Sequence, residues 1–64
     1  MNTFKDRLLD EREELDRKIG KLRNFFTTSN FTELNREHSN LLEIQFDTME
    51  QYLLILEMRL DLIE

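Results

Sequence analysis

Residues 4–25, FKDRLLDEREELDRKIGKLRNF, decide the fold. Within and just beyond them Leu8, Leu15 and Leu22 recur every seven residues, and Phe4, Ile19 and Phe26 occupy neighbouring positions of the same stripe. The spacing predicts one amphipathic helix over about 3–25, with Asn2 or Thr3 as its cap and Asp6 near the positive helix terminus. The stripe has a gap. The apolar series jumps from Leu8 to Leu15 and leaves Glu11 and Arg12 in the intervening turn, so either the seam opens there or a polar site interrupts it. Gly20 weakens the helix by ~1 kcal/mol relative to Ala. Its missing side chain either lets a backbone or a ligand come close or is a tolerated surface feature.

Outward from this helix, Thr27-Thr28-Ser29-Asn30 is rich in side chains that compete for backbone hydrogen bonds, which ends the helix and makes 26–34 a connector. Phe31 and Leu34 are expected to fold back over the hairpin tip as a short helical turn opened by Thr32. Asn35 is the expected cap of a second long helix over about 35–63. Two apolar faces run along it. Leu42, Met49, Leu56 and Ile63 form a heptad seam, with Tyr52 beside it, suited to pack on the first helix. Leu41, Ile44, Ile55, Met58 and Leu62 lie on a different flank. A lone hairpin leaves that flank wet, and exposed apolar area of this kind marks an interface. The expectation is an all-α antiparallel helical hairpin, one domain spanning 1–64, that assembles with copies of itself into a homo-oligomeric helical bundle.

Composition supports that reading. Pro is absent, Gly20 is the one glycine, and charged residues make up 36% of the 64, which favours long helices over strands. A chain this short buries only about 60% of its unfolded surface. With no Cys there is neither a disulfide nor a thiolate metal site to add stability, so oligomerisation is the remaining common route. The lack of Cys also fits a reducing compartment. Met1 to Lys5 shows no signal-like apolar run, and no stretch approaches the roughly 20 apolar residues of a membrane span, so a soluble intracellular protein without a membrane partner is expected.

The net charge of −5 argues against binding DNA or RNA polymers, a mode that depends on many contacts from Lys and Arg to phosphates. That average conceals an asymmetry. Residues 1–23 carry seven basic side chains against six acids, a balance of +1, whereas the remainder has Arg36 and Arg59 against eight acids, a balance of −6. Any anion site is therefore expected mainly on the first helix.

Catalytic and metal chemistry find little support in the spacing. His38 is the one histidine and reads as a solvated residue at a helix start; with no Cys and no HExxH pattern, no metal or cofactor is called for. Ser29 and Ser39 sit in a connector and a helix start, away from any acid and base partnership. The fourteen carboxylates read as solvated faces and i,i+4 pairs such as Glu14 with Lys18. The expected role is therefore binding rather than catalysis. Phe4 with Arg7, and Lys18 with Lys21, each lie one turn apart on the first helix. An aromatic ring stacks on a base and cations pair with phosphate, so these four residues are candidate nucleotide-binding groups. Phe4 and Lys18 lie about 21 Å apart along one helix, and two copies packed head to tail would bring them together. The plainer reading is that Phe4 staples the helix start and the lysines are solvated.

The order of residues also resembles a family of small tailed-phage proteins, the cyclic-oligonucleotide sponges that counter the bacterial CBASS defence. The resemblance covers residues 4 to 60. It is carried by Phe4-Lys-Asp-Arg7-Leu-Leu-Asp-Glu11-Arg-Glu-Glu-Leu15-Asp-Arg-Lys18-Ile19-Gly-Lys21-Leu22, by Phe31 and Leu34, and by Leu41-Leu42, Gln45, Met49, Tyr52, Leu56 and Arg59-Leu60. It implies a homohexamer of helical hairpins that acts in the host bacterial cytoplasm. There it would sequester cyclic dinucleotides such as cyclic GMP-AMP, and cyclic trinucleotides, without cleaving them. It further implies that Phe4 stands where the family's aromatic, commonly a tyrosine, is expected, that Lys18 matches the phosphate lysine, and that Arg59 faces a separate trinucleotide pocket. Phe4 has no hydroxyl and the chain ends soon after Arg59, two departures from the family pattern. The competing reading is a structural or adaptor coiled-coil module that binds a protein partner through the Leu41, Ile55 and Leu62 flank.

Overall fold

The computed structural model describes residues 3–63 and contains three helices: α1 (Phe4–Phe25), α2 (Ser29–Thr32) and α3 (Arg36–Asp61). The two long helices lie side by side as an antiparallel hairpin, giving a rod of 45 × 18 × 14 Å. There is no strand among the described residues. None of the described helices is long and apolar enough to cross a membrane.

Each helix start follows from a short polar side chain. Thr3 is the cap of α1: its hydroxyl accepts from the Asp6 N–H at 3.1 Å, and the Asp6 carboxylate accepts from the Thr3 N–H at 3.4 Å, a reciprocal capping box. The alternative cap, Asn2, lies outside the described residues. Asn35 caps α3 as expected, its Oδ1 accepting from the His38 N–H at 2.7 Å.

The connector differs from expectation in one detail. The short helical turn is opened by Thr28, not Thr32, which instead closes it. Thr28 has extended backbone (φ −96°, ψ 159°) and serves both neighbours. Its hydroxyl donates to the Phe25 carbonyl at 2.7 Å and accepts from the Phe31 N–H at 3.4 Å. Thr27 likewise donates to the Asn24 carbonyl at 2.7 Å. The last carbonyls of α1, which lack helical partners, are thereby satisfied. Phe31 does fold back over the tip. Its ring meets Phe25 edge-on at 6.1 Å and Phe26 at 4.9 Å, and Phe26 in turn meets Phe46 of α3 at 5.3 Å.

Leu8, Leu15 and Ile19 of α1 and Leu56 of α3 form the buried core, flanked by half-buried Phe46, Met49, Leu53, Leu60 and Ile63. The α3 face toward α1 is fuller than the four-residue seam read from sequence. Leu42, Phe46, Met49, Leu53, Leu56, Leu60 and Ile63 follow one another at alternating steps of four and three, an unbroken heptad stripe, and all are buried or half-buried. The second flank is exposed as expected. Leu41, Ile44, Ile55 and Met58 are each more than half exposed and Leu62 is 84% exposed.

Candidate functional site

The gap in the α1 stripe is a polar interruption. Glu11 accepts a hydrogen bond from the Tyr52 hydroxyl across the hairpin, and Arg12 is half-buried beside it. The Glu11 carboxylate holds the Tyr52 phenol above its ordinary pKa of 10.0, first through that hydrogen bond, then through partial desolvation and the carboxylate's charge, while nearby Arg59 acts in the opposite sense.

One heptad toward the open end of the hairpin, a second cross-helix pair repeats the arrangement. The Arg59 guanidinium lies over the Phe4 ring at 5.9 Å, within cation–π range. Phe4 is 57% exposed and Arg59 is also exposed, so both retain surface for a ligand. Glu11 follows Phe4 by seven residues and Tyr52 precedes Arg59 by seven, so antiparallel packing sets the four side chains along one lateral edge. Arg7 is exposed one turn from Phe4.

The candidate residues therefore divide. Phe4 and Arg59 are brought together, and Arg7 lies one turn from Phe4. Lys18 and Lys21 are exposed on the same helix but remain about 21 Å and about 26 Å from Phe4 along its axis, and one chain does not unite them with the ring. The separate location implied for Arg59 is not what a single chain displays, since its guanidinium shares the Phe4 edge. Sequence reading treated Tyr52 as a packing neighbour and Glu11 as a gap. Their link was foreshadowed only by matching seven-residue steps from Phe4 and from Arg59.

Two clefts lie elsewhere. One of about 230 Å³ is lined by Arg12, Glu13, Asp16, Leu53 and Glu57. The other, of about 600 Å³ at the hairpin tip, is lined by Phe26, Phe31, Phe46, Glu43 and Asp47. Carboxylates outnumber cations in both, which disfavours a phosphate, and neither contains a candidate residue from the sequence. Arg23, over the Phe46 ring at 5.4 Å, pairs with Glu50 at 3.2 Å. It is the one ion pair among the described residues. The expected Glu14–Lys18 pair does not close, since both side chains are exposed and an i,i+4 contact in water gains too little to hold them. His38 is exposed at the start of α3, as read. No group of His, Cys, Asp and Glu among the described residues is placed to hold a metal ion.

No curated protein and no solved structure matches the chain. A family model does match, over residues 2–62, and its description is Sequestin. That match spans nearly the whole sequence, including both long helices and the lateral edge, and accords with the resemblance to sequestering sponges: the chain belongs to the Sequestin family.

Proposed function

We propose that this protein is a phage sponge that binds and sequesters cyclic di- and trinucleotide immune messengers of the bacterial host without cleaving them. It thereby keeps CBASS effectors inactive. The family name points to sequestration. The observation that carries the nucleotide reading is the Phe4–Arg59 pair: an exposed ring and an exposed guanidinium held 5.9 Å apart on one edge. A base stacks on such a ring while the guanidinium pairs with a phosphate. Sequestration requires affinity alone, so a site of this kind needs no general acid, base or metal. Net negative charge is no obstacle, because recognition is local and the few cations act at close range. Lys18 and Lys21 belong to the same function where copies meet in a homo-oligomer, for which the resemblance implies a hexamer.

Isothermal titration calorimetry against a panel of cyclic dinucleotides and trinucleotides, followed by heat release of the ligand, tests the proposal. The expected result is tight binding with intact ligand recovered. Arg59→Ala and Lys18→Ala should each weaken binding at least tenfold while helicity and sedimentation stay as in the wild type. Absence of heat for every member of the panel, or recovery of linear products, would remove the sponge reading. In the first case the adaptor reading would stand in its place.

A further inference from the structure

The exposed flank of α3 is more than a set of apolar residues. Leu41, Ile44, Thr48, Gln51, Ile55, Met58 and Leu62 succeed one another at alternating steps of three and four, a second heptad stripe on the side of α3 turned away from α1. All seven side chains are uncharged, in a chain where charged residues make up 36%. From Leu41 to Met58 the stripe reads apolar, apolar, polar, polar, apolar, apolar, and it reads the same backwards. A face that is its own complement on reversal suits a two-fold interface between identical chains, in which each residue meets its counterpart's partner.

We infer that α3 pairs antiparallel with α3 of a second copy through this stripe. The layers are then Leu41 with the partner's Met58, Ile44 with the partner's Ile55, and Thr48 with the partner's Gln51, each occurring twice about a dyad between Met49 and Glu50. The hydrogen bonding at Thr48 selects this direction. Its hydroxyl donates to the Ile44 carbonyl within α3 at 2.9 Å, so it has only acceptor capacity left. Antiparallel pairing places that oxygen opposite the carboxamide N–H of the partner's Gln51. Parallel pairing would set Thr48 against the partner's Thr48, acceptor against acceptor. Along the borders of the antiparallel seam, Gln45 meets the partner's Tyr52, Asp47 the partner's Leu54, Asn40 the partner's Asp61, and His38 the partner's Arg59, with no carboxylate facing a carboxylate.

The pairing stands independently of the ligand reading. It has a consequence for that reading, because Tyr52 and Arg59 directly follow Gln51 and Met58 on α3. The second copy therefore runs beside the Phe4–Arg59 edge and walls one side of it.

Sedimentation of the full chain, with two single-cysteine variants, tests the inference. The wild type should sediment as a dimer or a multiple of it, and Ile55→Glu, at a position that contributes nothing to the α1–α3 core, should lower the assembled mass. Cross-linking keeps the test decisive if that variant unfolds. Ile44→Cys and Ile55→Cys, mixed and mildly oxidised, should give a disulfide-linked heterodimer, because a bridge needs Cα atoms within about 7 Å. Each variant alone should stay largely unlinked, since antiparallel register offsets identical positions by roughly 16 Å along the axis. A monomeric wild type, an assembled and folded Ile55→Glu of unchanged mass, or homodimeric disulfides from either variant alone would overturn the antiparallel pairing. None of these outcomes depends on nucleotide binding.

Discussion

At the residue scale the Glu11–Tyr52 contact couples charge to fold. Tyr52 is the one tyrosine and there is no tryptophan, so phenolate absorbance reports on this side chain alone. Its pKa lies above 10.0 in the folded chain, and the sign of the linkage follows. The neutral phenol is the form favoured by folding, so the contribution is fully present below about pH 10 and is lost as pH rises through the folded-state value. Replacing the carboxylate should remove the shift. Spectrophotometric titration of Glu11→Gln is expected to bring the Tyr52 midpoint back toward 10, and an unchanged midpoint would show that the hydrogen bond is not its main cause. Tyr52→Phe should flatten the alkaline fall in stability expected of the wild type.

At the scale of the element, α1 and α3 owe their ends to side chains that the sequence displays openly. The Thr3–Asp6 box and the Asn35 cap are both local, three residues apart, and needed no tertiary information. The connector was less legible. Thr28 and Thr32 offer the same hydroxyl, and only the extended backbone at Thr28 makes it the opener of α2. Gly20 resolves to its plainer reading within the chain. A Cβ added there would meet nothing within 4 Å, and its backbone angle is an ordinary one. Gly20→Ala is therefore expected to stabilise α1 by up to ~1 kcal/mol through helix propensity, measured as a higher denaturation midpoint. A loss of stability instead would reveal a close neighbour in the assembly at this position.

At the scale of the whole molecule, the buried core consists of four side chains, and Leu56 at its centre is fully buried. Leu56→Ala should cost about 2–5 kcal/mol. That is a large share of the stability of a 64-residue chain at ~0.05–0.15 kcal/mol per residue, so chemical denaturation followed by circular dichroism should find the variant largely unfolded at 37 °C. Ile55→Ala, its neighbour on the exposed stripe, should leave the helicity of a single hairpin nearly intact.

The sequence alone determined that this chain is two amphipathic helices joined by a polar turn. It also determined which positions are apolar and that α3 has two apolar faces, because periodicity and capping are local properties written in nearest neighbours. It raised Phe4, Arg7, Lys18, Lys21 and Arg59 as candidates by residue type. The tertiary structure alone decided that Phe4 lies under Arg59 and Glu11 against Tyr52. The reason is geometric: sliding α3 by one heptad along α1 would preserve every apolar stripe yet change every cross-helix partner. The axial register that builds the lateral edge is chosen by packing around Leu8, Leu15, Ile19 and Leu56.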